Sequence, residues 1–340
     1  MSASELLKQL FLGVRRRDES AVLAAARGLI QEVRNQGDET LARELEGILR
    51  DVAVQPPPAP PADLPPPPLD PQTKGALLDL SRPQRSLDDL ILREETRSAL
   101  DRLVAEFRGG DVLARAGLSP LHRVLFCGPS GCGKTAAAEA LANALGTPLV
   151  TVRLDALLAT SLGRTVNNLR KVFAYAARGR WVVLFEEFDA LGRSRDDPTE
   201  LGDHKRVVNA CVKLLDDFHQ QALLIAATDF EEGLDQALWT RFDEVIRFER
   251  PTVEQQRAFI RHQLQPLLHG EEQVVAIAHA LGAGSFADAE RVCLSIRKVC
   301  ALRGVGQVTT EDIRQALRRY VSRRALQLRA GRSTPAVDKA

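Results

Sequence analysis

The chain has 340 residues, is 44% hydrophobic and carries a formal net charge of +1. That is room for roughly two or three domains, and the near-neutral balance argues against nucleic acid or an anionic membrane as the main partner. Five cysteines, at 127, 132, 211, 293 and 300, include no CxxC or Cys/His cluster, so neither a disulfide framework nor a zinc site is indicated.

The first residues, MSASELLKQL, carry no positive region followed by an apolar stretch, so no secretory signal is expected there. The longest apolar runs, such as Trp181–Phe185 and Ala222–Ala227, are far short of the ~20 residues that cross a bilayer. A cytoplasmic location is the expectation. Residues 1–54 show three amphipathic stripes: Leu6 to Val14, Val22 to Val33, and Leu41 to Leu49. A helical unit this small buries little core, which favours a partner-docking module, with an accessory cap on the main domain as the alternative. From Pro56 to Pro71, ten of sixteen residues are proline. Such a run excludes helix and sheet, so it is expected to form a polyproline spacer of about 50 Å within a linker over 55–72, with a PxxP ligand for a partner's groove as the alternative.

Residues 75–250 alternate apolar strands with helical segments, the pattern of a parallel sheet covered on both faces. Predicted strands are Val124–Cys127, Leu149–Arg153, Val182–Glu186, Leu223–Ala227 and Val245–Phe248. After Pro251 four helical stripes follow, the first opened by a Thr252/Gln255 capping box, and they predict a helical lid over 251–328. Residues 329–340 are expected to be disordered.

Chemistry concentrates at Gly128, Pro129, Ser130, Gly131, Cys132, Gly133, Lys134 and Thr135, between a strand and a helix start. This is the context in which GxxxxGK[ST] binds phosphate. The glycines let the backbone wrap closely and point its N–H groups inward, and the helix start adds the positive end of its dipole. Lys134 would face the β- and γ-phosphates and Thr135 would offer its hydroxyl to Mg²⁺. Cys132 reads as a small filler. The strand Trp181–Phe185 runs into Glu186-Glu187-Phe188-Asp189. At such a strand tip one acidic group should hold the Mg²⁺ shell and the next should polarise the attacking water. Asp229 caps the following strand, and Arg241, in TRFDEV, is a candidate arginine finger for a neighbouring subunit.

With LFCGPSGCGKT, WVVLFEEFDALGRSR, LLIAATDF and LDQALWTRFDEVIRFERP in register, residues 85–325 resemble the AAA ATPases. The resemblance implies a P-loop NTPase αβα core, with a five-stranded parallel sheet of order 5-1-4-3-2 and a C-terminal four-helix lid. It also implies ATP and Mg²⁺ as ligands and a homo-oligomeric ring, usually a hexamer. The small helical N-terminus and proline-rich linker are further similar to bacterial AAA proteins often encoded beside a subtilisin-like serine protease. On that pattern Glu186 is a metal ligand, and Glu187, Asp229 and Arg241 are catalytic. Three departures qualify this: Glu186 and Asp229 stand where the family has Asp and Asn. Ser161 replaces the aromatic residue of the pore loop, in the segment Leu158–Arg164, which weakens any expectation of polypeptide threading.

Two functions follow. One is an ATP-hydrolysing ring that remodels, delivers to or activates a protein partner, with a serine protease as a candidate. The other is a slowly hydrolysing, nucleotide-dependent assembly switch or scaffold that threads nothing.

Overall fold

A computed structural model describes residues 19–35, 41, 64–158, 162–191, 201–218, 221–265, 267–268 and 270–332. The chain divides into two compact units, Met1–Ala62 and Asp63–Ala340. Within the first, helix α1 (Glu19–Asn35) carries the second predicted stripe and buries Ala25 and Ile30. The first and third stripes lie outside the described residues, Leu41 excepted.

The second unit is built on one sheet. Its strands are β1 (Leu78–Ser81), β2 (Arg123–Cys127), β3 (Leu149–Val152), β4 (Val182–Phe185), β5 (Leu223–Thr228) and β6 (Glu244–Arg247). The expected five-stranded sheet is corrected to six strands in the order β1-β3-β4-β5-β2-β6. Five of them run parallel, and β1 adds an antiparallel edge paired with β3 from Leu78↔Val152 to Ser81↔Leu149.

Successive residues of the central strands enter opposite cores, as the two-residue repeat of a strand requires. Leu125, Val183, Phe185, Leu224 and Ala226 join one cluster with Leu169, Phe173, Val207 and Leu215. Val124, Phe126, Val182, Leu184, Leu223 and Ile225 join the other with Leu100, Leu103, Phe107, Ala138 and Leu141. Helices α2 (Glu94–Arg108), α3 (Gly110–Arg115) and α4 (Lys134–Leu145) belong to the second face's stretch of chain. Helices α5 (Leu154–Leu158), α6 (Leu162–Ala176) and α7 (Leu201–Asp216) supply the first. Helix α4, KTAAAEALANAL, is rich in the best helix former, and its small side chains pack closely on the sheet. It stops at Gly146, whose left-handed conformation closes the helix.

After the short helix α8 (Gln236–Trp239), the lid comprises α9 (Val253–Leu264), α10 (Glu271–Leu281), α11 (Phe286–Arg303) and α12 (Thr310–Arg332). It has its own core, centred on Ile260, Ile277, Leu281, Val292 and Ile296. Capping boxes start α9 (Thr252/Gln255) and α11 (Ser285/Asp288). Helix α12 continues through Arg332, so the tail expected from 329 begins no earlier than 333, outside the described residues.

The proline-rich spacer needs a second correction. Residues 55–63 lie outside the described residues, but 64–72 belong to the second unit and pack on its helix α6. Arg164, Asn168, Lys171 and Tyr175 recur at the spacing that puts them on one face of α6. Tyr175 donates to the Pro65 carbonyl at 2.7 Å and Lys171 to that of Leu69 at 3.1 Å. Asn168 donates to the fully buried Asp70 carboxylate at 2.7 Å, and Arg164 pairs with it at 3.2 Å. The backbone N–H groups of Gln72 and Thr73 complete the Asp70 shell. The bond from Asn168, followed by that from Thr73, holds the Asp70 carboxyl well below the usual carboxylate range against the opposing effect of burial. A polyproline segment has no internal hydrogen bonds, so its carbonyls are available to donors on a neighbouring helix.

Candidate active site

Strand β2 ends at Cys127, in register with Thr228 of β5 and Arg247 of β6. The loop 128–133 therefore leaves the carboxyl edge of the sheet between two strand tips, where open α/β sheets bind ligands. Gly128 has φ 136°, and a Cβ there would lie 2.0 Å from the Phe248 carbonyl oxygen. A Cβ on Gly131 would lie 2.7 Å from both Ala287 Cβ and Ser285 Oγ at the start of α11. Ala287 also donates its backbone N–H to the Gly131 carbonyl at 3.1 Å. Two of the three loop glycines are thus required by the protein's own packing. Gly133 differs: its φ is 103° and nothing lies within 4 Å of an added Cβ. It is the N-cap of α4 without a side-chain cap, so the loop curls around open space onto an uncapped helix start. That geometry fits an anionic phosphate chain.

Lys134 is 7% exposed and its ammonium is fully engaged. It donates to the carbonyls of Gly128 at 2.6 Å and Pro129 at 3.0 Å, and it pairs with Asp229 Oδ1 at 2.6 Å. An ammonium has three donors, and all three are spent. Next to it, Thr135 Oγ1 donates to Glu186 Oε1 at 2.5 Å. The longer Glu186 side chain reaches the hydroxyl directly, and these two groups could share a hard cation such as Mg²⁺. Among the described residues no group of three or more His, Cys, Asp or Glu side chains gathers to hold a metal by itself.

Glu187 is exposed and has φ 49°, one of two non-glycine residues with positive φ among those described. Such strain costs about 1–3 kcal/mol and concentrates at functional sites. Here it falls on an exposed residue just past the fully buried strand β4. Asp189, 4% exposed, accepts from Thr228 Oγ1 at 2.9 Å and ties this turn to the tip of β5. Arg241 stands apart from the cluster. Its Nε pairs with Asp216 at 2.7 Å, at the end of α7, and its Nη1 donates to Thr240 Oγ1 at 2.8 Å.

The loop therefore gathers Lys134, Thr135, Glu186 and Asp229, with Glu187 on the next residue, and leaves Arg241 outside. Ser161 lies outside the described residues. Sequence reasoning did not find the lid residues Ser285 and Ala287, the Asp189–Thr228 tie or the Asp216 partner. All are long-range contacts; only the Ser285 capping signal was visible locally. Cys132 is buried, and burial raises its thiol pKa against the counteracting charge of Lys134.

Comparison with known proteins agrees with this arrangement. Residues 124–250 match the family model described as "ATPase family associated with various cellular activities (AAA)". The chain is 36% identical to the "uncharacterized AAA family ATPase y4kL" of Sinorhizobium fredii, over 97% of this chain and 98% of that protein. It is 29% identical to the ATP-dependent zinc metalloprotease FtsH 3 of Sphaerobacter thermophilus, over 77% of this chain but only 55% of that protein. A putative 26S proteasome regulatory subunit homolog of Methanothermobacter thermautotrophicus is 32% identical over 43% of this chain and 40% of its own length. With a family model matched over residues 124–250 and a 36% identical relative matched end to end, the chain belongs to the AAA family of ATPases.

Proposed function

We propose that this protein binds ATP with Mg²⁺, hydrolyses it in a ring of identical subunits, and uses the cycle to act on a protein partner. The observation that carries the reading is the cluster of Lys134, Thr135, Glu186 and Asp229 at an uncapped helix start, with Glu187 the next residue in the chain after Glu186. In this reading Lys134 neutralises the β- and γ-phosphates, and the backbone of 128–133 cradles them. Thr135 and Glu186 hold Mg²⁺, which supplies charge neutralisation at the phosphates. Glu187, exposed and in a left-handed backbone conformation, polarises the attacking water. Arg241, parked on Asp216, would exchange that carboxylate for a neighbour's γ-phosphate on assembly.

The partner would dock on residues 1–54. Relatives named as an ATP-dependent metalloprotease and a proteasome regulatory subunit homolog favour a client or partner in proteolysis, with a subtilisin-like serine protease as the candidate. A slowly cycling assembly switch is the second reading, and the Lys134–Asp229 pair favours it because ATP must displace that carboxylate.

The ring is tested by mixing two inactive variants. Arg241→Ala and Glu187→Gln subunits should each barely hydrolyse ATP. Mixed rings should regain activity, since an intact Glu187 site can then receive an intact Arg241. No recovery in mixtures shown by native mass spectrometry to co-assemble would remove the shared site.

A further inference from the structure

We infer that Asp229 is a specificity-determining residue that occupies, on Lys134, the place a terminal phosphate must take, so that the site disfavours nucleoside triphosphate relative to diphosphate. This rests on the nucleotide-binding reading above. Three observations carry it. Asp229 Oδ1 lies 2.6 Å from Lys134 Nζ, a full ion pair in a site where the ammonium is 7% exposed. The other two ammonium donors are already committed to Gly128 and Pro129, so an incoming phosphate can gain Lys134 only by displacing a partner. Finally, Asp229 follows directly on β5, whose last residue Thr228 is held by Asp189 and by the backbone of Phe230. The carboxylate is therefore carried on the residue next to an anchored strand tip.

The two nucleotides meet this group differently. A diphosphate can take Lys134 by displacing the carbonyl of Gly128 or Pro129 while Asp229 keeps its own contact, so the lysine then serves two anions. A triphosphate brings a further anion to the side Asp229 holds. One of the two must then give up the lysine, and two negative groups are left facing each other at short range. Asp229 is itself 46% exposed, so water screens much of that repulsion. A loss of about tenfold in triphosphate affinity is the scale expected for one partly screened charge. Occupancy by triphosphate would then depend on the ratio of the two nucleotides, or on a partner that draws Asp229 away.

The test is calorimetric titration of the full chain in Mg²⁺ with ADP and, separately, with the non-hydrolysable β,γ-imido analogue of ATP. Asp229→Asn and Asp229→Ala should each raise affinity for the analogue relative to ADP by about tenfold or more, with ADP affinity changing less than about threefold. Asparagine should exceed alanine, because its amide can donate to the added phosphate. An unchanged ratio in both variants, or an equal gain for both nucleotides, overturns the inference: Asp229 would then only hold the empty loop closed. Absence of any binding by wild type and variants would overturn the nucleotide site itself, and this inference with it.

Discussion

Replacing Gly128 by alanine should destabilise the protein before any ligand is involved. The new Cβ would lie 2.0 Å from the Phe248 oxygen and 2.9 Å from its carbonyl carbon, both backbone atoms at the end of β6. No rotamer change can relieve that overlap; the loop or β6 must shift by about an ångström, an overpacking cost of about 1–3 kcal/mol. The positive φ of 136° adds a further strain of about 1–3 kcal/mol for a residue with a Cβ. Together these give roughly 2–6 kcal/mol, or a melting point lower by at least about 4 °C at ~2–4 °C per kcal/mol. Gly133→Ala is the control. Its Cβ meets nothing within 4 Å, so strain alone, about 1–3 kcal/mol, should apply. Thermal unfolding of both variants without nucleotide, followed by circular dichroism, measures the difference. If Gly128→Ala melts no lower than Gly133→Ala, the loop is not braced against Phe248 as argued.

Tyr175→Phe removes the bond to Pro65 and should cost about 0.5–1.5 kcal/mol in urea unfolding, because 64–72 are part of the folded unit. Asp70→Asn should also destabilise, and with a defined pH dependence. The Asp70 carboxyl is held below its ordinary value, so its contribution is complete above about pH 4 and is lost as pH falls through the lower folded value. The gap between wild type and Asp70→Asn should therefore narrow on acidification; a gap independent of pH would refute the charged latch. Cys132 should resist maleimide in the native protein and react on unfolding, because burial raises its thiol pKa. Rapid native labelling at that position would contradict its reading as a buried small filler.

What could be read from the sequence was what is local. The phosphate loop, its strand and its helix start fall within Val124–Leu145, and apolar runs such as LLIAAT are buried along their whole length. Strand β1 was missed because LDLS is four residues long and takes its place only by pairing with β3, about seventy positions on. The proline run reads as a spacer because composition records the missing N–H groups but not the donors that serve the carbonyls. Asp70 and Asn168 stand 98 residues apart, and no local pattern links them. The glycines of the loop were read as serving phosphate alone, whereas Gly131 also admits the lid helix at Ala287. Arg241 reads from the sequence as a candidate arginine finger, and its Asp216 partner is a tertiary contact that spacing does not reveal.

The most direct measurement is phosphate release from Mg²⁺–ATP by the full chain and by Glu187→Gln, with bound nucleotide quantified in the same samples. The account predicts that Glu187→Gln retains nucleotide while release falls by at least about 10²-fold, the contribution of a positioned general base. Release at the wild-type rate would place the water-polarising role on another residue, and loss of nucleotide from the variant would contradict the separation of binding from hydrolysis on which the account rests.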